Sequence, residues 1–75
     1  MNIETALTLK VGDVVTYPPD RGAPGGVGKV TGITRRIAEN LNKDKFLWVE
    51  VRTFGKSTIW PSNRLIVKER LKSVS

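Results

Sequence analysis

The run Phe46-Leu47-Trp48-Val49-Glu50-Val51-Arg52-Thr53 constrains the fold more than any other part of this chain. Leu47, Val49 and Val51 alternate with Trp48, Glu50 and Arg52, so one face of an extended strand is apolar and the other carries charge and an indole. Gly55-Lys56 follows as a tight turn, and Ser57-Thr58-Ile59-Trp60 returns antiparallel to the first run. Pro61 has no amide hydrogen to give a ladder and ends the returning strand. A hairpin with one apolar face must cover that face with further strands.

The rest of the chain supplies them at close intervals. Val11-Gly12-Asp13 reads as a tight entry into the strand Val14-Val15-Thr16-Tyr17. Residues 18–26, with three prolines and three glycines, form a loop that neither helix nor ladder tolerates. A second strand runs from Val27 to about Thr34, and Gly28 and Gly32 within it suit a bulge or a sharp bend. Residues 35–45 read as a long connection. Ile37 and Leu41 there suit a short helix, whereas Asn40-Leu41-Asn42 favours a loop. Ser62-Asn63-Arg64 suits a single 3-10 turn before a closing strand, Leu65-Ile66-Val67. Residues 1–8 read as a tail or an edge segment, 9–68 as one domain, and 69–75 as a basic extension.

Seventy-five residues lie near the lower limit for a self-supporting hydrophobic core. Small folds often compensate with disulfides or a structural metal. With no cysteine and no histidine, neither a disulfide nor a zinc cluster can form, and the seven acids lack the spacing of a calcium loop. No metal and no cofactor are expected. There is no secretory signal pattern and no apolar run approaching the ~20 residues that span a bilayer. The expected location is cytoplasmic, without a membrane partner.

The net charge of +6 is unevenly spread. Residues 1–20 carry −2, residues 21–51 carry +3, and residues 52–75 carry +5. Such asymmetry marks an electrostatic footprint for a polyanion, against the plainer reading of a basic surface that keeps a small protein soluble.

The order of these features resembles a known group of folds. A Val-Gly-Asp entry, the strand Gly28-Lys29-Val30-Thr31-Gly32-Ile33, the strand Trp48-Val49-Glu50-Val51, a hairpin and the Pro61-to-Leu65 turn recur in that order in small barrels of the Src-homology-3-like group. That group includes KOW, Tudor and plasmid-encoded type II dihydrofolate reductase folds. The resemblance covers roughly residues 9–68 and implies an all-β, five-stranded SH3-like barrel with a short 3-10 turn before the last strand.

Two closer likenesses point to different functions. Trp60-Pro61-Ser62-Asn63-Arg64-Leu65 resembles the Phe-Pro-Ser-Asn-Tyr-Val segment of Src-homology-3 domains, with Trp48 where those domains keep the tryptophan that packs on proline-rich peptides. Arg64 replaces the binding tyrosine of that segment, and the Ala-Leu-Tyr-Asp-Tyr strand is absent. Ser57-Thr58-Ile59-Trp60 is similar to the Val-Gln-Ile-Tyr active segment of type II dihydrofolate reductase, but only the isoleucine is shared.

Catalysis is not expected. The usual general base and thiol nucleophile are missing, and no carboxylate pair sits on one short strand face. Residues 22–28 are rich in glycine, but Ala23 and Val30 stand where a phosphate-binding loop needs glycine and a hydroxyl. Binding is the better expectation. Phe46, Trp48 and Phe54 share the parity that faces outward, and Trp60 lies on the paired strand. Exposed aromatics beside arginines make a stacking platform for bases. Trp48 and Trp60 are the candidate stacking residues, with Arg52, Lys56, Arg64, Lys68 and Arg70 as phosphate contacts, supported by Arg35 and Arg36 and by a basic stretch reaching Lys72. The partner would be DNA or RNA. Against this stand a tryptophan that merely caps the core, and an aromatic patch that docks on a larger protein or on a second copy of the chain.

Overall fold

The structure, a computed structural model, describes residues 1–70. A short helix α1 (Ile3–Leu7) precedes seven strands: β1 (Val14–Tyr17), β2 (Gly26–Ile33), β3 (Ala38–Glu39), β4 (Lys45–Phe46), β5 (Trp48–Thr53), β6 (Lys56–Pro61) and β7 (Ile66–Glu69). A 3-10 helix at Ser62–Arg64 joins β6 to β7. Five strands form one antiparallel sheet in the order β6-β5-β2-β1-β7, and β3 pairs with β4 in a separate two-stranded ribbon. No helix among the described residues is long and apolar enough to cross a membrane.

β-branched residues dominate the face that the sheet buries, as extended backbone favours. Val15, Val30, Val49 and Val51 form the core with Leu9 and Leu65, while Met1, Tyr17, Ile33, Trp60 and Val67 pack against its rim. Each fully buried aliphatic side chain contributes about 1.5–3 kcal/mol, so a core of six is sensitive to any loss. β2 is the shared strand, pairing with β1 through its first half and with β5 through its second. Its two glycines act differently. Gly28 permits close approach, since a Cβ there would sit 2.4 Å from Val51 Cγ1. Gly32 borders the register shift against β5, where Thr31 is the extra residue.

Four segments differ from the sequence expectation. Residues 3–7 are helical rather than a tail or edge: Asn2 Oδ1 accepts from Thr5 N at 2.8 Å, and Ala6 is buried. The Met1 ammonium donates to the carbonyls of Ser62 and Leu65, fastening the helix beside the 3-10 turn. Residues 35–45 contain no helix. Asn40 Oδ1 accepts from the amides of Asn42 and Asp44, closing the β3–β4 ribbon with Lys43 at φ 64°. The long strand from Phe46 is interrupted at Leu47, whose amide donates to Ser62 Oγ at 2.9 Å and whose carbonyl accepts from Ser62 N at 2.8 Å. Phe46 and Leu47 are both buried, because β4 packs beside α1 and the 3-10 helix, so Phe46 is covered and not, as expected, exposed. The closing strand runs on to Glu69, one residue into the expected extension; residues 71–75, including Lys72, lie outside the described residues.

Candidate functional site

Register decides which aromatic meets which. The β5–β6 hairpin turns at Phe54-Gly55, both at positive φ (49° and 79°), one residue earlier than the glycine-lysine turn read from sequence. Trp60 therefore pairs with Val49, and Trp48 with Pro61. Paired residues project to the same side, so Trp60 shares the core-facing side with Val49 and Val51, and Trp48 projects from the opposite one. The two candidate stacking residues, Trp48 and Trp60, therefore lie on opposite sides of the sheet. Trp48, 43% exposed, instead meets Phe46 edge-on at 5.1 Å.

Trp60 is half-buried at the open edge of the core. Its indole stacks on Tyr17, with ring centroids 5.4 Å apart and planes 28° from parallel. Tyr17 lies at the end of β1 opposite Gly26, where a Cβ would stand 2.7 Å from the phenol oxygen. The missing side chain makes room for the ring. The guanidinium of Arg64, carried by the 3-10 helix, lies 5.9 Å from the centre of the Trp60 ring, within cation–π reach.

A groove of about 760 Å³ opens beside this stack. One wall is β6, whose Lys56, Thr58 and Trp60 alternate onto the groove side. The other is the proline-rich loop, folded back on itself by paired hydrogen bonds between Asp20 and Ala23 (3.0 and 2.8 Å) across Arg21 and Gly22 at positive φ. Phe54, fully exposed, stands at the hairpin end. A shallower recess of about 170 Å³ continues past Trp60 to Arg64, and Asp20 borders both. The arrangement offers two aromatic surfaces, cations at both ends of β6, and one carboxylate on the facing wall. The lining presents aromatic faces suited to flat π systems, the cations Lys56 and Arg64 suited to anionic groups, and the Asp20 carboxylate suited to accepting from amino groups.

Three of the sequence-derived site residues, Lys56, Trp60 and Arg64, are brought together here. The others are not. Arg52 lies with Trp48 on the far side of the sheet. Arg35 Nη2 donates to the Leu9 carbonyl at 2.9 Å, and Arg70 Nη1 donates to the Thr8 carbonyl at 3.0 Å and lies 3.7 Å from the buried Asp13 carboxylate. Both arginines anchor the segment entering β1. Arg36 and Lys68 are exposed, away from the groove. Tyr17, Asp20 and Phe54 belong to the site and were absent from the sequence-derived set. Hairpin parity carried part of the missing signal: any two-residue turn there puts positions 48 and 60 on opposite faces.

No protein-family model matches the chain, and no curated protein and no solved structure matches it significantly.

Proposed function

We propose that this chain is a nucleic-acid-binding accessory domain that takes bases onto Trp60 and backbone phosphates onto Lys56 and Arg64. The observation that carries the reading is the Tyr17–Trp60 stack, open to a groove on one side and capped by a guanidinium 5.9 Å away. Base–aromatic stacking contributes about 1–3 kcal/mol per base and tolerates any sequence, while the flanking cations contribute a salt-dependent, sequence-independent attraction. The uneven net charge of +6 favours the same class of partner. Phe54 at the groove end offers a further stacking surface. The protein acts by binding, with no catalytic step.

The fold we assign is the SH3-like barrel. The order β6-β5-β2-β1-β7, the bulged β2 shared by both halves and the 3-10 helix between β6 and β7 support that assignment.

A docking module for another protein is the second reading, and one observation favours it. Phe54 is fully exposed, and Ile59 on the edge strand β6 is 62% exposed, which is surface that a protein partner would cover. Salt separates the two readings. Nucleic-acid affinity falls steeply between low and physiological salt, whereas an apolar contact through Phe54 and Ile59 responds weakly. Titration with short single- and double-stranded oligonucleotides at two salt concentrations tests the first. Light scattering of the free chain tests the self-associating form of the second, and a clean monomer removes it.

A further inference from the structure

Lys29 of β2 and Arg52 of β5 are direct cross-strand partners on the side of the sheet facing away from the groove, and Arg52 is in turn the partner of Ser57 on β6. All three are exposed. Directly opposed residues hold their Cβ atoms about 4.5–5.5 Å apart, and like charges in that position oppose folding. A stable sheet normally offsets such a pair with an acid close by. Here no acidic side chain lies within ion-pair distance of Lys29 or Arg52 among the described residues. Glu50, the next residue along the same face, accepts instead from Thr31 Oγ1 at 2.7 Å. Glu69 sits two strands away in the same row, beyond Val14. An ammonium, a guanidinium and a hydroxyl thus stand side by side across three adjacent strands.

We propose that Lys29, Arg52 and Ser57 form a phosphate-binding row whose occupant is the sugar–phosphate backbone of a nucleic acid. The planar guanidinium matches two phosphate oxygens, the ammonium adds a point charge, and the hydroxyl donates one hydrogen bond. The row has no aromatic stack, so it holds backbone without reading bases. Because it lies on the opposite side from the groove, one molecule can touch two nucleic-acid segments at once. The inference rests on the nucleic-acid reading only for the identity of the occupant.

The test is amide and guanidinium NMR on the isotope-labelled full chain, titrated with a single-stranded abasic phosphodiester oligomer and, separately, with inorganic phosphate. Sodium chloride at matched ionic strength is the control. The expected result is saturating shifts at Lys29, Arg52 and Ser57 with the abasic strand beyond the chloride control, lost in Lys29→Gln and in Arg52→Gln. Each substitution also lowers the slope of log affinity against log salt by about 0.7, the value per phosphate on a single strand. Arg36→Gln, another exposed arginine, leaves the row's shifts in place. Both row substitutions relieve a like-charge pair, so thermal midpoints at low salt no lower than wild type show that the variants fold. Shifts at the row with inorganic phosphate alone would overturn the backbone as occupant, and no shift with either ligand would overturn the site. The abasic strand has no rings, so a failure of base stacking in the groove leaves this result untouched.

Discussion

The phenol ring of Tyr17 lies 5.4 Å from the indole of Trp60, 28° from parallel, tying the end of β1 to the edge strand β6. The stack holds the indole at the rim of the core, beside the groove. Aromatic pairs of this kind contribute about 0.5–1.5 kcal/mol beyond their buried area. Tyr17→Ala is therefore expected to lower stability by about 1–2 kcal/mol in urea denaturation. It should also weaken oligonucleotide binding, although Tyr17 carries no charge. Trp48→Ala, on the opposite side, should leave groove affinity unchanged.

The arginines divide by what they hold. Arg35→Gln and Arg70→Gln each remove a side-chain hydrogen bond to the segment ahead of β1, at Leu9 and Thr8. Each should cost about 0.5–1.5 kcal/mol of stability, with the Arg70–Asp13 ion pair adding little because it is long, at 3.7 Å, and the Arg70 side chain is 45% exposed. Neither should alter groove binding beyond the loss of one diffuse charge. Arg64→Gln should do the reverse, weakening binding and its salt dependence while changing stability little. Parallel melts and titrations of the three variants separate the two roles.

Ser62 is buried and exchanges two hydrogen bonds with Leu47, where the chain passes from the β3–β4 ribbon into β5. Ser62→Ala leaves the Leu47 amide without its acceptor in a buried site, a loss of about 1–3 kcal/mol. Chemical denaturation measures it. Ser62→Thr, which keeps the oxygen, isolates the cost of a methyl group in the same space.

The sequence carried β1, β2, β5, β6, the 3-10 turn and half of β7, because alternation and turn chemistry act over a few residues. The burial of Phe46 escaped it because parity counting reports the faces of one strand and not the distant elements that cover them. The break at Leu47 is set by Ser62, fifteen residues away, and no local pattern reports that contact. The helix at residues 3–7 escaped because five residues are too few for a 3.6-residue period to show. Tyr17 joined the site only because the tertiary fold brings the end of β1 against β6, although β2 and β5 stand between them in the sheet, and Arg35 and Arg70 read as free cations because carbonyl acceptors leave no trace in a sequence. Composition legibly reported the charge; only pairing reported which cations are free to use it.

A pH dependence follows from the N-terminus. Burial holds the pKa of the Met1 ammonium below its ordinary value of 8.0, because desolvation disfavours the charged form. Below the folded-state pKa both states are protonated and stability is flat. Between that pKa and 8.0 the unfolded chain binds the proton more tightly, so stability rises with pH, and above 8.0 it levels off. The neutral amine keeps two N–H donors for the carbonyls of Ser62 and Leu65. A small upward step in thermal midpoint is expected as pH rises toward and past 8.0, and N-terminal acetylation should abolish it.

The most direct test of the nucleic-acid reading uses Trp48→Phe, which leaves Trp60 as the sole tryptophan. Its fluorescence is followed as a short single-stranded oligonucleotide is added at low and at physiological salt. Quenching that saturates and weakens steeply with salt is expected, since a base stacks on the indole while Lys56 and Arg64 hold phosphates. Unchanged Trp60 emission at low salt would contradict it and leave the groove to a protein partner.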